Sequence, residues 1–228
     1  MNTKVGRQLL RLARIIDFAL ASSVRLTRVR FRGGLWVYEE ANFLVASPTL
    51  VRLLRRLAPG FHTYGFNFLQ RYGLDRILHA ERLATVVDVG ANWGDMLLAL
   101  NASGIPPLCY VAVEPDPNAR AALELNLACN AVDGQECVIH PVAVSSESND
   151  DVLFTLDSGR ADSSLDVRSG RATTRVRVSR LDELLEGVGV VDLLKIETEG
   201  YEAEALQGAS GVLARTRFIA VDAGAERR

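Results

Sequence analysis

Thr85-Val86-Val87-Asp88-Val89-Gly90-Ala91-Asn92-Trp93-Gly94 sets an apolar, β-branched run directly against a glycine-rich turn. The run predicts a buried strand over 85–89, and Gly90 and Gly94 permit a tight turn with close backbone approach to a ligand at the strand's carboxyl end. Residues 95–102 then read as a helix. Strand, turn and helix in this order suit a nucleotide-type ligand, but glycine spacing alone does not say which one.

Two neighbouring features narrow the choice. Nicotinamide-binding turns follow G-x-G-x-x-G, which packs a diphosphate against a helix N-terminus. Here the spacing is Gly90-x-x-x-Gly94, with Asp88 two residues before the first glycine. A carboxylate there would repel a diphosphate but suits the cationic amino group of a methionine moiety. Glu114 ends the next predicted strand, 26 positions after Asp88, where a carboxylate can accept hydrogen bonds from both ribose hydroxyls. Together they favour S-adenosyl-L-methionine as cofactor and disfavour an NAD-dependent oxidoreductase.

Outward from this stretch, predicted strands (85–89, 109–114, 136–144, 192–197 and 218–222) alternate with predicted helices (95–102, 118–130 and 202–214). Near-continuous apolar strands separated by helices imply an α/β, Rossmann-like fold with a mainly parallel sheet covered on both faces. Residues 151–180 break the pattern: 152–156 and 175–179 alternate in polarity around a Ser/Gly/Arg-rich loop, which predicts a hairpin-like insertion.

Residues 1–80 differ in charge from the rest. They carry 13 Lys/Arg against 4 Asp/Glu, whereas 81–228 carry 13 against 24, and the net charge of -2 conceals the contrast. Apolar Val5, Leu9, Leu12, Ile16 and Leu20 recur at helical spacing opposite Lys4, Arg7, Arg11 and Arg14. Arg25, Arg28, Arg30 and Arg32 alternate with apolar residues before Gly33-Gly34. A short helix over 50–57 and another over 74–82 follow. We expect 1–80 to form a basic, mainly helical cap with short strands, and 81–228 the cofactor-binding domain. The basic helix can rest on an anionic membrane, cap its own core, or meet a second copy.

Charges every three or four residues deny the N-terminus the apolar core of a signal peptide, and no apolar run of about 18 residues exists to span a membrane. Cys109, Cys129 and Cys137 are sparse, odd in number and without Cys-x-x-Cys spacing, which fits reduced thiols in a cytoplasmic protein. His62, His79 and His140 lack mutual ligand spacing, so no metal is expected.

Several ordered blocks resemble the FkbM family of S-adenosylmethionine-dependent methyltransferases over about residues 60–225. They are Asp88-Val-Gly-Ala-Asn-Trp-Gly94, Val113-Glu114-Pro115-Asp116-Pro117, Asn126-x-x-x-Asn130, Pro141-Val-Ala-Val144, Ser163-Ser164-Leu165 and Leu181-Asp182-Glu183-Leu184-Leu185. The most discriminating is Leu194-Lys-Ile-Glu-Thr-Glu-Gly200, followed by Glu202 and Leu206-Gln-Gly208. The resemblance implies methyl transfer, usually to a hydroxyl oxygen of a sugar, glycan or secondary metabolite. It assigns Asp88, Gly90, Asn92 and Gly94 to the cofactor loop, Glu114 to the ribose, and the turn at Ala143 to the adenine.

Lys195, Glu197 and Glu199 alternate at the end of a predicted strand and so share one face, at the edge where such a sheet opens on its ligand. They are the candidate catalytic groups: a carboxylate as base, with Lys195 orienting it or lowering the hydroxyl's pKa. Relative to the family pattern, Glu197 replaces an aspartate and Thr198 an aliphatic residue. Family members also continue through two further strands beyond 218–228, so an exposed sheet edge, with either reduced stability or a homodimer, is expected. The expected partner is a small-molecule or glycan acceptor rather than nucleic acid. The alternative is a cofactor-binding protein that has lost turnover.

Overall fold

The computed structural model describes residues 28–40, 43–57, 61–78, 83–156, 165 and 172–222. The expected basic helix over 5–20 and most of the loop over 157–174 lie outside them.

The first part of the chain begins with β1 (Val29–Arg32), β2 (Leu35–Glu40) and β3 (Phe43–Ser47), an antiparallel sheet in the order β1-β2-β3. Helices α1 (Leu50–Leu57), α2 (Phe61–Arg71) and α3 (Asp75–Leu78) follow. The cap is therefore mixed, with a strand layer ahead of its helices. The aromatic and β-branched content of Leu35–Tyr38 favours strand there.

The main layer contains β4 (Thr85–Val89), α4 (Asp95–Ala102), β5 (Cys109–Val113), α5 (Pro117–Asn130) and β6 (Glu136–His140). After a short β7 (Ala143–Val144) and the hairpin of β8 (Asn149–Thr155) and β9 (Thr173–Ser179) come α6 (Leu181–Leu184) and β10 (Val191–Ile196). The chain then passes through α7 (Glu202–Gln207), α8 (Ser210–Leu213) and β11 (Thr216–Val221). The central sheet runs β11-β10-β4-β5-β6 with every pair parallel. Strand order reverses beside β4, so the crevice at its carboxyl end, between β4 and β10, is the expected ligand site of this topology.

Side chains alternate across the sheet. Val86, Tyr110, Ala112 and Leu193 pack with Leu69, Met96, Leu97, Leu100 and Leu123 on one face. Val87, Val89, Val111, Leu194 and Ile196 pack with Leu181, Leu185, Ala205 and Val212 on the other. Every residue of β10 is buried, as a strand covered on both sides requires.

Two predicted elements divide. The strand expected over 136–144 ends at His140 because Pro141 has no N–H for the ladder, and β7 pairs instead with β9 in a small sheet ordered β7-β9-β8. The helix expected over 202–214 breaks at Gly208, where a Cβ would lie 2.2 Å from the Ser145 carbonyl oxygen. Gly208 thus lets the chain pass against the β7 turn while its own carbonyl accepts the Asp182 N–H at 3.0 Å.

The cap is joined to the domain through two asparagines one turn apart on α5. Asn126 accepts from the Ala46 N–H at 2.6 Å and donates to the Ala46 carbonyl at 3.0 Å and the Trp93 carbonyl at 2.7 Å. Asn130 repeats the pairing with Leu44, accepting at 3.0 Å and donating at 2.7 Å. Alternate residues of β3 present their backbone groups to one edge, and the two amides satisfy that edge as a further strand would. The Asn126-x-x-x-Asn130 block is thereby explained structurally. Asn126→Leu leaves buried donor and acceptor groups without partners and is expected to cost about 3 kcal/mol, measured by urea unfolding followed through tryptophan fluorescence.

Candidate active site

The floor of the crevice is a buried lysine between two strands. Lys195 on β10 lies beside Asp88 on β4 in the sheet register, and the two are 2% and 1% exposed. The Lys195 ammonium sits 3.0 Å from Asp88 Oδ1 and 3.3 Å from Glu197 Oε2. It also donates to the Gly90 carbonyl at 2.8 Å. Burial works against the charged ammonium, but Asp88 and Glu197 outweigh it and lift the lysine pKa above its ordinary value. Lys195 therefore stays protonated and binds the glycine turn to the strand beneath it. The Tyr110 hydroxyl donates to the other Asp88 oxygen from below.

The turn has little freedom. Gly90 has a φ of 73°, and a Cβ there would fall 1.8 Å from the Glu197 carbonyl oxygen. The N–H groups of Gly90 and Ala91 both donate to the Val113 carbonyl, at 2.9 and 3.1 Å. Asn92 occupies the left-handed region (φ 51°), which its residue type tolerates, and directs its N–H to Glu114 Oε2 at 2.7 Å. The other Glu114 oxygen accepts from the Asp116 N–H at 2.8 Å. Despite these two donors, burial pushes the Glu114 carboxyl up to about 7.

A cavity of about 480 Å³ opens over this floor. At one end Val142, Ala143, Val144, Phe154 and Leu165 form an apolar wall; Glu114 and the turn lie in the middle; Glu197, Glu199 and Asp222 line the other end. Asp88, Gly90, Asn92, Glu114, Ala143, Lys195, Glu197 and Glu199 thus all contribute to one cavity. Gly94 does not line the cavity; it heads α4 against Leu123 and Leu127. Trp93 also points away. It is 1% exposed and packs with the cap residues Leu35, Val37 and Ala46. Arg56 lies over its ring at 3.5 Å and pairs through Nε and one terminal nitrogen with the two Asp95 oxygens.

Residues from the cap complete the far end, and sequence reasoning missed them. Arg71, the last residue of α2, bridges Glu197 Oε1 at 2.7 Å and Asp222. The adjacent Tyr72 hydroxyl donates to Glu197 Oε2 at 2.5 Å. Burial would raise the Glu197 carboxyl, but Lys195, Tyr72 and Arg71 together hold it below the usual carboxylate range. Glu202 accepts from the N–H groups of Thr198 and Gly200, at 2.8 and 3.2 Å, and so fixes the turn that carries Glu199. The only local signal for Asp222 was a carboxylate at a strand's end; Arg71 and Tyr72 have none, since their partners are more than a hundred residues away.

A solved structure shares this arrangement of strands and helices. It is a methyltransferase FkbM from Methylobacillus flagellatus KT, matched with a TM-score of 0.50 at 15% identity over 95% of this chain. The fold is therefore of the Rossmann-like methyltransferase class. The chain spans about half that structure's length, 49%. No functionally curated protein matches it. The methyltransferase FkbM domain profile matches residues 88–224, from the carboxylate on β4 to just past β11, and the chain belongs to that methyltransferase family.

Removing the ammonium would leave the buried Asp88 carboxylate without its cation and release the Gly90 carbonyl. Lys195→Met is expected to destabilise the fold by about 3–5 kcal/mol, read from the denaturant midpoint. Adding Asp88→Asn to Lys195→Met should recover a substantial part of that loss.

Proposed function

We propose that this protein is an S-adenosyl-L-methionine-dependent O-methyltransferase whose acceptor is a hydroxyl of a sugar, glycan or secondary metabolite. The observation that carries the proposal is the single cavity in which an apolar wall, a buried ribose-type carboxylate and a fixed carboxylate–ammonium array follow one another.

The residues present fit the cofactor part by part. The Ala143–Phe154 wall suits an adenine. Each Glu114 oxygen already accepts one backbone N–H and retains a lone pair for a ribose hydroxyl. Asp88 and Glu199 supply negative charge toward a cationic sulfonium and amino group. When bound, the cofactor supplies an electrophilic methyl group.

Glu197 is placed to orient the acceptor hydroxyl and receive its proton. A carboxylate held ionised by three donors is a weak base, but an oxygen that is gaining a methyl becomes strongly acidic, so a weak, well-positioned base is sufficient late in the reaction. Lys195, Tyr72 and Arg71 restrict the longer side chain that glutamate brings in place of the family's aspartate. The same three contacts also favour the alternative, a cofactor-binding protein in which Glu197 is structural.

Titration calorimetry with S-adenosylhomocysteine tests the cofactor. Ribose hydroxyls favour ionised Glu114, so affinity should be full above pH 7. Below its pKa of about 7, affinity should fall by roughly tenfold per pH unit, and Glu114→Gln should flatten that dependence. Absence of binding refutes the cofactor assignment.

Labelled methyl transfer to a panel of glycans, glycosides and polyketide alcohols tests turnover. Glu197→Gln should lower kcat by about 100-fold with S-adenosylhomocysteine affinity essentially unchanged. Binding without transfer to any member of the panel selects the alternative.

A further inference from the structure

The cap carries a feature that the methyl-transfer site does not use. The tip of the β1–β2 hairpin, Arg30-Phe31-Arg32-Gly33-Gly34, is exposed along its whole length, and Phe31 is 59% exposed. Phe31 rests on half-buried Trp36 across the strands, with ring centroids 5.0 Å apart. A protruding aromatic pair flanked by arginines has the composition of a segment that sits at the level of lipid headgroups, rings inward and guanidinium groups at the phosphates.

Charge points the same way. Residues 1–32 contain eight Lys/Arg and a single acidic residue, Asp17, whereas residues 81–228 are strongly acidic. In the sequence leading to the hairpin, apolar Val5, Leu9, Leu12, Ile16 and Leu20 are interleaved with Lys4, Arg7, Arg11 and Arg14. This apolar–basic interleaving matches a bilayer's interface, whereas a phosphate backbone alone would call only for the basic residues.

Register relates the tip to the cavity. Trp36, beside the tip on β2, pairs with Ser47 at the end of β3, and the next two residues, Pro48 and Thr49, line the cavity. Neighbouring strands are about 5 Å apart, so the tip and this part of the cavity wall lie at the same end of the small sheet.

We propose that the hairpin tip is a docking surface for an anionic lipid bilayer, and that docking brings the Pro48–Thr49 side of the cavity to the membrane. The inference does not depend on methyl transfer.

Flotation of the full-length protein with phosphatidylcholine vesicles, with and without phosphatidylglycerol, tests it. Binding is expected only to the anionic vesicles and should decline as salt is raised. Arg30→Gln with Arg32→Gln should lower partitioning roughly thirtyfold, at about 1 kcal/mol per charge, and Phe31→Ser by about tenfold. An unchanged circular dichroism spectrum and melting temperature in each variant show that the fold is intact. Equal binding to neutral vesicles, no binding at all, or binding that both hairpin variants retain in full overturns the proposal. Tighter binding to mixed-sequence RNA than to the anionic vesicles also overturns it.

Discussion

One buried ion pair organises the molecule. Lys195 and Asp88 come from adjacent parallel strands and meet where both strands end. Isolated in the sheet, either charge would be costly to bury. Together they are acceptable because the ammonium also reaches the Gly90 carbonyl and the carboxylate also accepts from Tyr110. The consequence is geometric. A turn that would otherwise be free at the sheet edge is tied to β10 by Lys195 and to β5 by the Val113 carbonyl. Several other groups in the cavity are fixed against that turn: Asn92 aims at Glu114, Gly90 admits the backbone of Glu197, and the start of α4 is set for Arg56.

The cap is part of this arrangement and contributes to the site directly. Asn126 and Asn130 hold β3, Arg56 covers Trp93 and pairs with Asp95, and Arg71 with Tyr72 grips Glu197. These contacts are polar and directional, in contrast to the apolar clusters within the central sheet. Apolar burial is non-directional and tolerates small shifts. Hydrogen bonds of this density define one relative position, which a carboxylate supplied by the domain but oriented by the cap requires.

Much of this was legible in the sequence, for identifiable reasons. The parallel sheet was readable because its strands are buried on both faces and therefore nearly continuously apolar, as in Val86–Val89 and Val191–Ile196. The turn was readable because Gly90 answers a backbone demand that no other residue meets. Glu114 and Lys195 were found because strand ends in such a sheet face the ligand. What escaped was non-local. The β1–β3 sheet rests on pairing between strands that the alternation of arginines with apolar residues over 25–32 does not by itself announce, and a proline divided the strand expected through residue 144. Arg71, Tyr72 and Arg56 act on partners brought near only by the fold, and their immediate neighbours carry no trace of it. Trp93 lies in a cofactor-type turn yet packs against the cap, which adjacency in sequence could not reveal.

Two of the cavity glutamates, Glu114 and Glu197, show how environment divides one side-chain type into two states. Glu114 is buried with only two neutral N–H donors, and its carboxyl rises to about 7. Glu197 is also largely buried, but it faces an ammonium, a guanidinium and a phenol, and its carboxyl is held low. A carboxyl poised near neutrality gains its full charge most readily when new donors arrive, so ligand hydroxyls at Glu114 would complete its ionisation. A carboxylate already supplied with cationic donors gains little from another hydrogen bond and is charged before any ligand arrives. The first environment suits a group that responds to binding, the second a group that is ionised and fixed in position beforehand. The states follow from the donors around each carboxyl, and those donors are set by the turn and the cap that Lys195 and the α5 asparagines hold in place.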